Sequence, residues 1–237
     1  MSNTWFKFKQ FTVSHDKCAM KVGVDGVTLG VWADVAEAKK VLDVGCGSGL
    51  ISLMIAQRCD AQITAIDIDN QSIIQTAENV DNSPWKDRIK TQPISLQEYA
   101  RVTSDRFDVI ISNPPFFNNS LKNPSESRTT ARHTDSLSHR DLLMCSKKLL
   151  NPDGKLCLIL PVEEGNACIE TGKETGLFCS KKVSIFPNSS KPAKRLLLEF
   201  ILSETACVER NLTIETDVRN QYTPEYTNLV KDFYLKL

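Results

Sequence analysis

Asn113-Pro114-Pro115-Phe116 is the stretch whose residue types can do chemistry. Two consecutive prolines fix φ and remove two backbone donors, and each pushes the residue before it towards extended geometry. A rigid turn therefore presents the Asn113 side chain beside carbonyls that have no local donor. The Asn113 oxygen can accept one hydrogen of a planar amine and the Pro114 carbonyl the other. Phe116 can stack on the ring that carries the amine. Asn-Pro-Pro also ends strands with no chemistry attached, so what precedes it decides.

Lys40-Val41-Leu42-Asp43-Val44 reads as a short strand, and Gly45, Gly47 and Gly49 alternate behind it. A helix opens near Leu50, with Ile51, Met54 and Ile55 at core-facing spacing. Alternating glycines let a backbone approach a ligand closely and adopt positive φ. The dinucleotide fingerprint G-x-G-x-x-G fails, because its third glycine is displaced. A carboxylate at Asp43 is unwelcome beside a pyrophosphate and suits a ligand that carries an ammonium group. D-x-G-x-G-x-G after a strand resembles the S-adenosylmethionine (AdoMet) loop of Rossmann-like methyltransferases. That resemblance implies that Asp43, Gly45, Gly47 and Gly49 hold this cofactor.

The elements that position these residues follow in order. Ile63 to Asp69 is a second strand ending in acid, with Asp67 placed to accept bonds from ribose hydroxyls. Asp69 or Asn70 can cap a helix carrying Ile73, Ile74, Ala77 and Val80. Arg88 to Ile94 is a weaker third strand, and Phe107 to Ser112 is a fourth that delivers Asn113. Methyltransferases often place an acid after the third strand for the cofactor's adenine; here Ser95 is the neutral substitute. Alternating strands and helices predict a doubly wound α/β fold. The expectation is a Rossmann-like class I methyltransferase with a seven-stranded, mostly parallel sheet and helices on both faces. Ligands in such sheets bind at the carboxyl ends of the strands, where strand order reverses. Gly45 and Asn113 should therefore be neighbours.

Beyond Asn113, residues 118–136 are polar, and a connection this long is uncommon unless functional. It reads as a lid carrying Arg128, Arg132 and His133. Ser138-x-x-Asp141 resembles a capping box for a helix through Leu149. Asn151 to Gly154 then turns into strand five, Lys155 to Leu160. Lys181–Pro187 and Arg195–Ser203 read as an antiparallel hairpin closing the sheet. One domain is expected over 1–237: an extension at 1–36, a core at 37–203 and a tail at 204–237 with a final helix.

Trp5 to Val13 alternates aromatic or apolar residues with Lys and Gln, which predicts one half-exposed edge strand. Interleaved Phe and Lys also suit single-stranded nucleic acid. The formal net charge is zero, so a nucleic-acid footprint must be local. Lys7, Lys9, Lys17 and Lys21 face only Asp16, while Lys181, Lys182, Lys191, Lys194 and Arg195 meet no acid in their stretch. The eight cysteines contain no C-x-x-C and read as buried free thiols. With no ligand spacing among three histidines, no metal is expected. No apolar run spans a membrane and no leader is evident, so a cytoplasmic monomer is expected.

Further blocks accompany these motifs: Phe6-Lys7-Phe8-Lys9-Gln10-Phe11, Cys18 through Gly26, Ser83-Pro84-Trp85 and Ala131 through Leu137. Together, from about Trp5 to Glu199, they resemble the bacterial tRNA1(Val) (adenine(37)-N6)-methyltransferase family. The resemblance implies methyl transfer from AdoMet to the exocyclic N6 of adenosine 37 in valine tRNA. It implies catalytic roles for Asn113, Pro114, Pro115 and Phe116, and Asp25 near the methionine end of the cofactor. Lys9, Arg128, Arg132, His133, Lys191 and Lys194 would contact the RNA. Methylation of a protein glutamine is the alternative, since the same turn serves a flat amide. Such enzymes usually carry a helical domain ahead of the glycine loop, where this chain has only about forty mostly strand-like residues. Methylation of another RNA or of DNA is the other alternative, and a DNA enzyme would need a recognition domain for which this chain lacks room.

Overall fold

A computed structural model describes residues 3–114, 137–218 and 220–236. The first half carries β1 (Trp5–Lys7), β2 (Thr12–Ser14), α1 (Val24–Trp32), β3 (Lys40–Val44), α2 (Leu50–Arg58) and β4 (Gln62–Asp67). Next come α3 (Asn70–Asp81), β5 (Ile89–Pro93), α4 (Leu96–Val102) and β6 (Phe107–Ser112). The remainder is α5 (His139–Leu149), β7 (Leu150–Pro161), α6 (Val162–Thr175), β8 (Phe178–Phe186), β9 (Arg195–Ile201), β10 (Val208–Thr213) and α7 (Pro224–Val230).

The main sheet has the order β10-β8-β9-β7-β6-β3-β4-β5. From β7 to β5 all pairs are parallel, while β9 runs antiparallel to both β7 and β8. The chain steps outward from β3 to β5 and then returns to lay β6 on the other side of β3, so strand order reverses there. Both faces are covered, so the strands are apolar on both sides. Val41, Ile63, Val109 and Ile111 belong to one core, and Leu42, Val44, Ile66 and Ile110 to the other. Asp108 ties the amino ends of three strands together, accepting from the Lys39 and Lys40 amides and from Asn151 Nδ2. Asp69 and Ser138 cap α3 and α5 as their sequence positions indicate.

Three expectations are corrected. The sheet has eight strands rather than seven, because β10 joins parallel to β8. Its residues Val208 to Asn211 are all exposed at an edge, so no apolar alternation announces it. Trp5 to Val13 is not one strand but a tight hairpin, closed by the Phe8 amide donating to the Phe11 carbonyl at 2.8 Å. Phe8 and Phe11 stack at 4.7 Å between centroids and are buried, with Tyr234 stacked on Phe8 at 6.0 Å. Residues Asn151 to Gly154 lie inside β7 as an irregularity, not before it. A Cβ on Gly154 would sit 2.8 Å from the Phe107 carbonyl oxygen, which is the close approach that glycine permits.

Candidate functional site

The reversal point is closed by side chain as well as backbone. Val44 pairs with Ser112, and Ser112 Oγ donates to the Val44 carbonyl at 2.8 Å. The next residues on the two strands are Gly45 and Asn113, so the two motifs meet as the sequence required. They border a cavity of about 600 Å³ whose wall is mostly apolar.

The glycine loop is held by its own backbone. Gly45 and Cys46 amides donate to the Ile66 carbonyl at 2.9 and 3.1 Å, and Thr76 Oγ1 donates to the Gly47 carbonyl at 2.7 Å. Gly45, Gly47 and Gly49 have φ of +71°, +55° and +77°, the left-handed region that costs other residues about 1–2 kcal/mol. A Cβ on Gly45 or Gly47 would meet no described atom within 4 Å, whereas on Gly49 it would lie 2.8 Å from Thr76 Cγ2. The first two glycines thus leave open space along the cavity, and the third packs the loop on α3.

Asp67 lines the cavity at the end of β4. Its Oδ2 accepts from the Gly47 amide and its Oδ1 from the Asp69 amide, both at 2.9 Å. A carboxylate has about four lone-pair sites, so the fixed oxygens retain capacity for a diol. Asp43 is corrected: it does not line the cavity and is fully buried. Its Oδ2 accepts from Ser52 N at 3.1 Å and Ser52 Oγ at 2.6 Å. Ser52 is the third helical residue after Gly49, which has no side chain to cap α2. Asp43 therefore caps α2 from the neighbouring strand, at the positive end of the helix dipole. Burial pushes its carboxyl up to about 7, against the lowering effect of the Ser52 bonds and with help from nearby Asp67. Its Oδ2 thus holds the loop, while its buried Oδ1 has no partner among the described residues.

Ser95 is also occupied elsewhere. Its Oγ accepts from the Glu98 amide and caps α4, while Ile94, Leu96 and Gln97 face the cavity. Asp25 does line the cavity, and its Oδ2 accepts from Arg195 Nε at 2.7 Å.

Asn113 completes the wall from β6. Its Oδ1 is buried and has no hydrogen-bond partner among the described residues. Buried acceptors are nearly always satisfied, so an orphan at a cavity wall is reserved for something that binds there. Pro114 is buried. Pro115, Phe116, Arg128, Arg132 and His133 lie outside the described residues.

Of the remaining cations, Lys21 lines the cavity, whereas Lys9, Lys191 and Lys194 do not. Lys9 Nζ donates to the Lys231 carbonyl, tying the hairpin to the tail. Lys191 and Lys194 are exposed in the β8–β9 connection. Lys181 pairs with Glu199 at 3.1 Å and Lys182 with Glu209 at 3.2 Å, so that basic stretch is partly neutralised by acids on β9 and β10. Of the cysteines, Cys207 is exposed rather than buried. Ile68 was not singled out by sequence: it lines the cavity although 59% exposed, and an apolar residue straight after a strand-ending acid was the available signal. Met20, 60% exposed in the same wall, had none.

With this geometry in hand, three similarities are informative. Residues 30–166 match the family model described as Methyltransferase small domain. The tRNA1(Val) (adenine(37)-N6)-methyltransferases of Trichodesmium erythraeum and Parabacteroides distasonis are each 47% identical to this chain, over all of both chains. A solved structure from Agrobacterium tumefaciens, described as a predicted O-methyltransferase, superposes with a TM-score of 0.70 at 18% identity. It covers 88% of this chain and 96% of its own, and supports the Rossmann-like methyltransferase fold.

Proposed function

The chain belongs to the tRNA1(Val) (adenine(37)-N6)-methyltransferase family, and from that membership we propose that it methylates the exocyclic N6 of adenosine 37 in valine tRNA. The observation that carries the reading is the orphaned Asn113 Oδ1 one residue beyond the reversal point, beside the open faces of Gly45 and Gly47. An adenine amine supplies the hydrogen that this oxygen lacks.

The residues present fit AdoMet. Asp67 suits its ribose hydroxyls, Ile68, Ile94 and Leu96 suit its adenine, and Gly45 and Gly47 leave room along the loop. When bound, AdoMet supplies an electrophilic methyl group on a sulfonium whose thioether leaves neutral. The chain's own work is then positioning, which can supply a large part of a barrier without acid–base help. Asn113 Oδ1 accepts one amine hydrogen and the Pro114 carbonyl the other, which turns the nitrogen lone pair out of the ring; once the new C–N bond has formed, the surplus proton of the cationic amine passes to water. None of the three carboxylates of the cavity wall is placed as a free base: Asp25 bonds to Arg195, Asp67 holds two amides, and Asp69 caps α3. The adenine must leave its stack to reach Asn113, and a loop base is cheapest to extrude. Because tRNA is the substrate, we assign the work to the cytoplasm.

The test is transfer of radiolabelled methyl from AdoMet to tRNA, protein and DNA in parallel, followed by nucleoside analysis. N6-methyladenosine in the tRNA is expected. Label in protein glutamine or DNA, with none in tRNA, overturns the reading.

A further inference from the structure

The alternating aromatics of the N-terminal hairpin are divided by the fold into two groups. Phe8 and Phe11 are buried, whereas Trp5 is 46% exposed and Phe6 38%. The exposed pair does not stand alone on the surface. Both line a second cavity of about 560 Å³, together with Tyr222 and Tyr234 from the tail. Lys7 and Lys236 are in the same wall, and no Asp or Glu among the described residues lines it. Gly23 and Val24 line both this groove and the cofactor-sized cavity, so the two are adjacent.

We propose that this groove is a stacking subsite for the unpaired nucleobase adjoining the target adenine. The inference rests on the RNA reading above and names where the RNA is read. Every base has a π-face, and aromatic side chains with cations beside them are the usual platform for unpaired strands. Enzymes that act on an extruded base take sequence context from contacts to its flanking nucleotides. The platform is also fixed before anything binds. Phe6 rests against Phe8 at 4.8 Å and Tyr234 at 6.0 Å, and Tyr222 stacks on Tyr234 at 6.1 Å with 20° between planes. Trp5 has no ring partner among the described residues and is the face left for a base. The two lysines favour a polyanion over an apolar peptide as occupant.

The experiment uses the full chain, as wild type, Trp5→Ala and Trp5→Phe, with an anticodon-hairpin RNA. Each nucleotide flanking the target is replaced in turn by an abasic residue. Trp5→Ala is expected to raise KM for the RNA by about tenfold or more, the size of one base stack. Its kcat at saturating RNA and its affinity for AdoMet stay as in wild type, and Trp5→Phe recovers most of the loss. One abasic position should weaken wild type comparably and add nothing in Trp5→Ala. An unchanged KM in Trp5→Ala, or abasic losses of equal size in both proteins, overturns the subsite while leaving RNA methylation standing. Failure of wild type to methylate any RNA overturns the function proposed above and this inference with it.

Discussion

On the β3–β4 side of the cleft, the polar groups that line the cavity find partners inside the chain, and deeper in the core Asp43 Oδ1 lacks one among the described residues. The loop amides bond to Ile66, Gly47 and Asp69 amides bond to Asp67, and Ser52 satisfies one oxygen of Asp43. At the end of β6, Asn113 Oδ1 bonds to nothing described, and outside the sheet the groove beyond Val24 exposes Trp5 and Phe6. The first region is shaped in advance for one small, constant molecule. The second keeps its acceptor and the Trp5 ring unpaired among the described residues, which suits a substrate that arrives from outside. A buried acceptor without a partner costs about 1–3 kcal/mol. At Asn113 that unpaired acceptor lies at the cavity wall, within reach of a donor that enters the cavity.

The comparison can be broken most forcefully at Asn113. Asn113→Ala is expected to lower kcat by about 10²–10³, the usual loss when one preorganised polar contact to a reacting group is removed. AdoMet affinity by calorimetry should hold, and thermal stability should hold or rise, because the lost oxygen has no described partner. A large drop in melting temperature would show that Asn113 belongs to the bonded region after all.

Two glycines sharpen the other side. Gly49→Ala meets Thr76 Cγ2 at 2.8 Å and keeps an unfavourable φ of +77°, so urea denaturation should show more than about 2 kcal/mol lost. Gly45→Ala has the same left-handed strain without the clash, and should cost about 1 kcal/mol. Its added methyl points into open cavity, so its greater effect should be on AdoMet binding.

Asp43 gives a pH signature. Its carboxyl is at about 7 in the folded chain against an ordinary 3.8, so the folded state binds the proton more tightly than the unfolded. Its contribution is fully present below pH 4 and is lost as pH rises towards 7, at up to about 1.4 kcal/mol per pH unit. The stability of Asp43→Asn relative to wild type should rise across that window and be flat above it. A difference independent of pH would mean that Asp43 is ionised in the folded chain. The smallest effect is at Ser95: Ser95→Ala loses a helix cap worth about 1 kcal/mol. AdoMet affinity should stay unchanged, and a weakened one would return Ser95 to the cofactor.

How much of this the sequence disclosed depended on the range over which each signal acts. The glycine loop, the Ser138 cap and the β8–β9 hairpin rest on local dihedral and capping preferences, and they stand where the residues indicated. Even the meeting of Gly45 with Asn113 followed from strand order alone. Asp43 and Asp67 carry the same strand-end signature, and only packing distinguishes them: one turns under α2, the other into the cavity. Charge counting along the chain could not see that Lys181, Lys182 and Arg195 meet Glu199, Glu209 and Asp25 across the fold. The turn at Lys9-Gln10 has no Gly, Pro or Asn to mark it, so the burial of Phe8 beneath Tyr234 was invisible to period counting.

The central claim is that Asn113 Oδ1 is kept free for the adenine amine, and a double-mutant cycle measures that coupling directly. Wild type and Asn113→Ala are each titrated with hairpin RNA carrying adenosine or purine riboside, which lacks the amine, at the target position. Loss of the amine should weaken binding to wild type by several-fold and leave binding to Asn113→Ala unchanged, a coupling of about 1 kcal/mol. Equal losses in the two proteins would contradict the account, because the amine would then be held by something other than Asn113.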